Sequence, residues 1–220
     1  MLKVIGAGLS PWVRRVLVVL DEKGIEYAHE NFFPTGEIPA EFKQKSPLGR
    51  IPVLDTEEGP IPDSSAICHY LEARFPETSL LPEDPFERGR SFWFGEFAAE
   101  IFRYEGTLFF QQALRGHMMK QTPDEEAVEA ARAAIPPLFD YLEGELEGAT
   151  YVVGERFTLG DVTLASVLLN YLHAGERIDA TTYPALRSYL DRVFERPSFA
   201  RRIEEDLKPL AGFSNAPSPA

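Results

Sequence analysis

The apolar spacing predicts two domains of different class. An α+β domain covers residues 1–76, and an all-α domain covers residues 87–208. Three observations carry this. In the first third of the chain, short β-forming runs alternate with helical ones. The stretch from Pro76 to Pro85 contains Pro, Glu and Leu without a period, so residues 77–86 read as a linker. Beyond it, every apolar segment repeats with helical spacing.

Lys3-Val4-Ile5 reads as a strand, broken by Gly6, Gly8 and Ser10-Pro11. Val13, Val16, Leu17 and Leu20 then follow helical spacing up to Gly24, with Pro11 suited to the first turn. Tyr27 to Phe33 reads as a second strand, and Pro34 to Gln44 as a polar loop with one helical turn. Ile51 to Asp55 and Pro60 to Pro62 form a hairpin pair around Glu58-Gly59. Ser65 to Phe75 is a helix closed by Pro76. This β-α-β, then β-β-α order is that of a thioredoxin-like unit.

In the second domain, Arg88 to Gly116 is a long aromatic helix carrying Phe92, Trp93, Phe97, Phe102, Tyr104, Phe109 and Phe110. Asp124 to Glu147 is a helix kinked at Pro136-Pro137. Thr158 to His173 is apolar throughout and reads as the buried central helix. Two shorter helices follow, from Ala185 to Arg196 and from Pro197 to Leu207. Residues 209–220 have no period and read as a loose tail.

The 220 residues are 44% hydrophobic, with a formal net charge of −13. That charge argues against a nucleic-acid partner, which calls for a basic stripe, and against an anionic membrane surface. No run reaches the ~18–20 apolar residues of a membrane span, and the N-terminus lacks a signal-peptide pattern. One cysteine, Cys68, excludes an internal disulfide and fits a reducing cytoplasm. His29, His69, His117 and His173 are scattered, so no metal is implied.

The chemistry gathers between Ser46 and Ile67. Pro52 at a strand start is where a cis X–Pro bond sits, which would turn the N–H and C=O of Ile51 outward as a clamp for an extended peptide. Asp63-Ser64-Ser65 precedes Ala66, Ile67, Tyr70 and Leu71 as a helix start. Ser64 or Ser65 can cap it, Asp63 and Ser64 also read as plain helix-capping residues, and the free N–H groups make an anion site. Asp63 stands beside it for an ammonium. Ser10, between strand and helix, reads from its local sequence as a plain helix N-cap.

Ile51-Pro52-Val53-Leu54 followed by Asp63-Ser64 resembles the glutathione-binding half of the cytosolic glutathione transferases. Ser10-Pro11-Trp12-Val13-Arg14-Arg15-Val16 resembles that family's first helix, in its serine-type, bacterial-like form. Thr158-Leu159-Gly160-Asp161 resembles the capping box of its second domain. The resemblance implies that Ser10 donates a hydrogen bond to the glutathione sulfur. It implies that Ile51 and Pro52 clamp the peptide, and that Asp63 and Ser64 hold the γ-glutamyl end. Arg50, Gln44 or Lys45 would hold the glycyl carboxylate. Trp12, Tyr104 and Phe109 are candidates for an apolar electrophile site.

The resemblance further implies that glutathione is a cosubstrate of a cytoplasmic, homodimeric, detoxifying transferase expected to conjugate an electrophile or reduce a peroxide. The alternatives are a non-catalytic glutathione-binding scaffold, and a catabolic etherase or dehalogenase of the same fold. A disulfide reductase is disfavoured, because that branch carries Cys-Pro where this chain has Ser10-Pro11. Cys68 reads as a core residue, and Thr158 with Asp161 as a folding feature.

Overall fold

The computed structural model describes residues 1–34 and 36–217. The chain divides into two compact units, the first Met1–Leu81 and the second beginning at Pro82, inside the expected linker.

In the first unit, β1 (Leu2–Ile5) leads into α1 (Pro11–Glu22), and β2 (Tyr27–Glu30) returns parallel to β1. A short α2 (Ala40–Lys45) precedes the hairpin of β3 (Val53–Asp55) and β4 (Pro60–Pro62), and α3 (Ser64–Arg74) closes the unit. The sheet order is β2-β1-β3-β4, with β3 antiparallel to both β1 and β4. This is the thioredoxin-like arrangement. Strand β3 starts two residues later than the sequence predicts, because Ile51 and Pro52 stand outside the ladder. Strand β2 also ends early, at Glu30. The Ile51–Pro52 peptide is cis, as the sequence predicts.

The inner side of α1 buries Val13, Val16, Leu17 and Leu20, and Cys68 is fully buried on α3. Burial pushes the Cys68 thiol up, which keeps it protonated and inert. Beyond α3, a turn of 3₁₀-helix (Pro76–Thr78) runs over a buried ion pair. Lys23 Nζ lies 2.9 Å from Glu72 Oε1, with both side chains almost fully covered. Lys23 donates to the carbonyls of Phe75 and Thr78, and Glu72 accepts from Leu80 N–H and the Ser79 hydroxyl.

The second unit is helical among its described residues: α4 (Pro85–Leu108), α5 (Glu125–Ala134), α6 (Pro136–Leu146), α7 (Leu159–His173), α8 (Pro184–Phe194) and α9 (Pro197–Leu207). The expected kink is a break, since Pro136 starts a new helix. The expected single helix to Gly116 instead changes register at Phe109 and runs on as a π-helix to Met118. Gln111 and Gln112 hold this segment. Gln111 accepts from Asp124 N–H at the start of α5, and Gln112 exchanges hydrogen bonds with Glu176 and Arg132.

Helix α7 is the core, with all of Leu159 to His173 buried. Asp161 reaches back to Thr158 N–H at 2.8 Å and also accepts from Val152 N–H and the Tyr189 hydroxyl. Burial pushes its carboxyl up to about 6, against these donors. Gly160 is where α7 meets α4. A Cβ there would lie 2.8 Å from the Ser91 carbonyl oxygen and 3.1 Å from Val152 Cγ2. Gly160→Ala is therefore expected to destabilise the protein by about 1–3 kcal/mol through overpacking, although alanine is the better helix former by about 1 kcal/mol. Urea unfolding checks this, and an unchanged midpoint would contradict it.

The tail is not loose over its described part. Leu210 is fully buried, Phe213 stacks on His117, and Ser214 bonds His173 at 2.8 Å. Asn215 donates to the Gly175 carbonyl at 2.6 Å. Apolar Leu210 and Phe213 and the capping Asn215 override the aperiodic composition. Residues 218–220 of the expected tail lie outside the described residues.

Candidate functional site

The site residues of the first unit come from three segments that meet at the end of β1. The first is the loop from Gly6 into α1. Ser10 is the N-cap by position, with φ −72° and ψ 126°, and its carbonyl accepts from Arg14 N–H at 2.9 Å. Its hydroxyl makes no capping bond, although the two residues behind Pro11 keep their N–H groups. The plain side-chain cap is thus not formed. Ser10 is half-buried, and among the described residues its hydroxyl has no hydrogen-bond partner. Ser10 stands at the α1 N-terminus, where unpaired N–H groups favour an anion.

The second segment contains Ile51. Its side chain packs beside the cluster of Ile5, Phe42 and Val53. Among the described residues its backbone N–H and C=O have no partner in the chain. Gly6 joins this segment to the first: a Cβ on Gly6 would meet Val13 Cγ2 at 2.5 Å and Ile51 Cβ at 3.1 Å, so only glycine allows the approach. The Gly6 carbonyl also pairs with His29 Nε2 at 2.8 Å.

The third segment opens α3. Of the capping residues read from the sequence, neither Ser64 nor Ser65 but Asp63 is the N-cap. Its Oδ1 accepts from Ser65 N–H at 2.8 Å and Ala66 N–H at 3.2 Å. Aspartate is among the preferred N-caps, and the Asp-Ser-Ser order carried that signal. Asp63 has φ 75°, a region non-glycine residues rarely adopt. Its N–H donates to the Pro52 carbonyl at 3.3 Å, which ties the clamp segment to the helix start. Ser64 is 4% exposed, and among the described residues its hydroxyl has no partner. Arg15 Nη1 donates to the Ser65 hydroxyl at 3.0 Å and ties α1 to α3.

The other candidates are placed differently. Lys45 pairs with Asp55 on the sheet. Arg50 and Gln44 are exposed, and the Arg50 backbone is fixed by the Ser46 hydroxyl, which bonds both its N–H and its C=O. Trp12 is half-buried on α1. In the second unit, Tyr104 is half-buried on α4, and Phe109 is buried as the first residue of the π-helical run. Among the described residues there is no cluster of three or more His, Cys, Asp or Glu fit for a metal, and no helix is long and apolar enough to cross a membrane.

A thioredoxin-like unit followed by an all-helical unit, with the cis Ile51–Pro52 peptide next to the start of α3, defines the class of protein. The chain belongs to the cytosolic glutathione S-transferase family. Residues 4–79 match the glutathione S-transferase N-terminal domain, and residues 107–197 match the C-terminal domain. The chain is 28% identical to a glutathione S-transferase of Pseudomonas putida, covering 97% of this chain and 96% of that one. It is equally identical to a stringent starvation protein A homolog of Histophilus somni, covering 88% and 86%. The crystal structure of a glutathione S-transferase from Rhodospirillum rubrum superposes with a TM-score of 0.87 at 28% identity, covering 96% and 95%. One from Methylobacterium radiotolerans, in complex with glutathione sulfonate, superposes with a TM-score of 0.77 at 26% identity, covering 92% and 94%.

Proposed function

We propose that this chain is a glutathione transferase that activates the glutathione thiol for attack on an apolar electrophile. In this reading, the Ile51 backbone pairs with the extended peptide, as a sheet edge does. The free N–H groups and the Ser64 hydroxyl at the start of α3 take the γ-glutamyl carboxylate, and Asp63 takes the amine. Ser10 donates to the sulfur. The observation that carries the reading is the Ser10 hydroxyl, half-buried at a helix N-terminus and uncommitted to a cap.

A free thiol has a pKa near ~8.5, so about 2.7 kcal/mol of preference for the anion lowers it by about two units. A hydrogen bond to a charged group supplies roughly 1.5–3 kcal/mol and a helix N-terminus about 0.3–2 kcal/mol. The proton leaves to solvent, and the thiolate forms a carbon–sulfur bond as the electrophile's leaving group departs. With a peroxide, the thiolate attacks one oxygen, the O–O bond breaks and an alcohol or water leaves, and the glutathione sulfenic acid so formed condenses with a second glutathione to the disulfide and water.

For the glycyl carboxylate, the Lys45–Asp55 pair favours Arg50 or Gln44. Trp12, Tyr104 and Phe109 are assigned to the electrophile site, and the working form is a cytoplasmic homodimer. Retention on immobilised glutathione together with turnover of an aryl halide tests the reading. Retention without turnover on a broad electrophile panel would instead support a binding scaffold, a second reading favoured by relatives named for stringent starvation.

A further inference from the structure

Arg15 is a buried cation to which the reaction above gives no task. It lies on the inner face of α1, 7% exposed, with Nη1 on the Ser65 hydroxyl at 3.0 Å. Its Nε is buried and has no hydrogen-bond partner among the described residues. No carboxylate lies within ion-pair distance of its guanidinium among the described residues. The Asp63 carboxylate is turned instead onto the N–H groups of Ser65 and Ala66.

Through that bond the guanidinium is held against the first turn of α3, and it also acts on the Cys68 thiol one turn further on. A buried ion without a counter-ion is costly, and proteins normally pair it. The same turn carries the Ser64 hydroxyl, which has no partner among the described residues, and the N–H groups of a helix start. An anion seated there would complete the ion pair that the chain itself leaves open.

We propose that Arg15 is a positioning residue for the anion site at the start of α3. A ligand carboxylate held by Ser64 is its counter-ion, and Ser65 is the link between them. This rests on the reading that the γ-glutamyl α-carboxylate binds at that turn. The test compares glutathione with γ-aminobutyryl-cysteinyl-glycine, which lacks only that carboxylate, by calorimetry against wild type, Arg15→Lys and Arg15→Met.

Wild type is expected to prefer glutathione at least tenfold. In Arg15→Met the preference should collapse, because glutathione weakens about tenfold or more while the analogue's affinity is unchanged. Arg15→Lys, which keeps the charge, should restore part of the preference, and it serves alone if the methionine variant does not fold. Without ligand, Arg15→Met should unfold at the same temperature as wild type or higher, since an apolar group replaces an unpaired ion. A lower unfolding temperature with an unchanged ligand preference would make Arg15 a structural brace and overturn the proposal. Equal binding of both peptides by wild type would overturn the placement of the carboxylate at α3. Binding of neither would overturn the glutathione reading itself, and this inference with it.

Discussion

Lys23→Met is expected to destabilise the protein by about 3–5 kcal/mol, because it leaves the Glu72 charge buried without its partner. The loss goes beyond one ion pair. Lys23 also satisfies the carbonyls of Phe75 and Thr78, which end α3 and the 3₁₀ turn after it. Replacing Glu72 as well would remove the stranded charge but strand the buried Leu80 N–H, so the double variant should recover only part of the loss. Urea unfolding measures the first effect. Limited proteolysis over residues 76–81 measures the second, and the variant should be cut faster there. Unchanged stability and unchanged cutting would mean that apolar packing alone holds this segment.

Ser10→Ala is expected to slow conjugation about ten- to a hundredfold at neutral pH while leaving glutathione affinity below the thiol pKa almost unchanged. In the proposed role, the hydroxyl would interact with the thiolate far more strongly than with the thiol. Losing ~1.5–3 kcal/mol of anion stabilisation raises the pKa of bound glutathione by roughly one to two units. Alkaline pH should therefore restore part of the rate. Because the hydroxyl makes no capping bond, the variant should keep its unfolding temperature, which separates this effect from loss of a helix cap. The decisive measurement is thiolate absorbance of bound glutathione against pH. Superimposed titrations of wild type and Ser10→Ala would dismiss Ser10 as the donor.

Local signals in the sequence located most of the fold. Alternating and helical periods, with Pro and Gly as punctuation, identify β1, α1, the β3–β4 hairpin and the wholly apolar α7. They also bring out Ser10, Ile51 and Asp63, because each sits at an element boundary with a recognisable residue type. What the sequence hid depends on pairing at a distance. Lys23 and Glu72 are far apart in the chain and look like ordinary surface residues on two amphipathic helices. Arg15 has the same disguise beside Ser10. The change of register at Phe109 leaves no mark in composition, since Gln111 and Gln112 stabilise it only through Asp124 and Glu176. The tail after Pro209 lacks a period, yet single residues fasten it: Leu210 in the core, and Asn215 on backbone groups.

The backbone of Asp63 has a meaning for how this sequence could drift. A non-glycine residue at φ 75° stores about 1–3 kcal/mol of strain. Glycine would relieve it, and exchanging an N-cap aspartate for glycine costs only a few tenths of a kcal/mol. For stability alone, glycine is the better residue at this position and lies one substitution away. A copy of this chain released from its chemistry would have a downhill path to losing the carboxylate without unfolding. If Asp63 holds the ligand amine as proposed, the fold and the ligand make opposite demands on it, and the identity of that one residue reports which demand has been met.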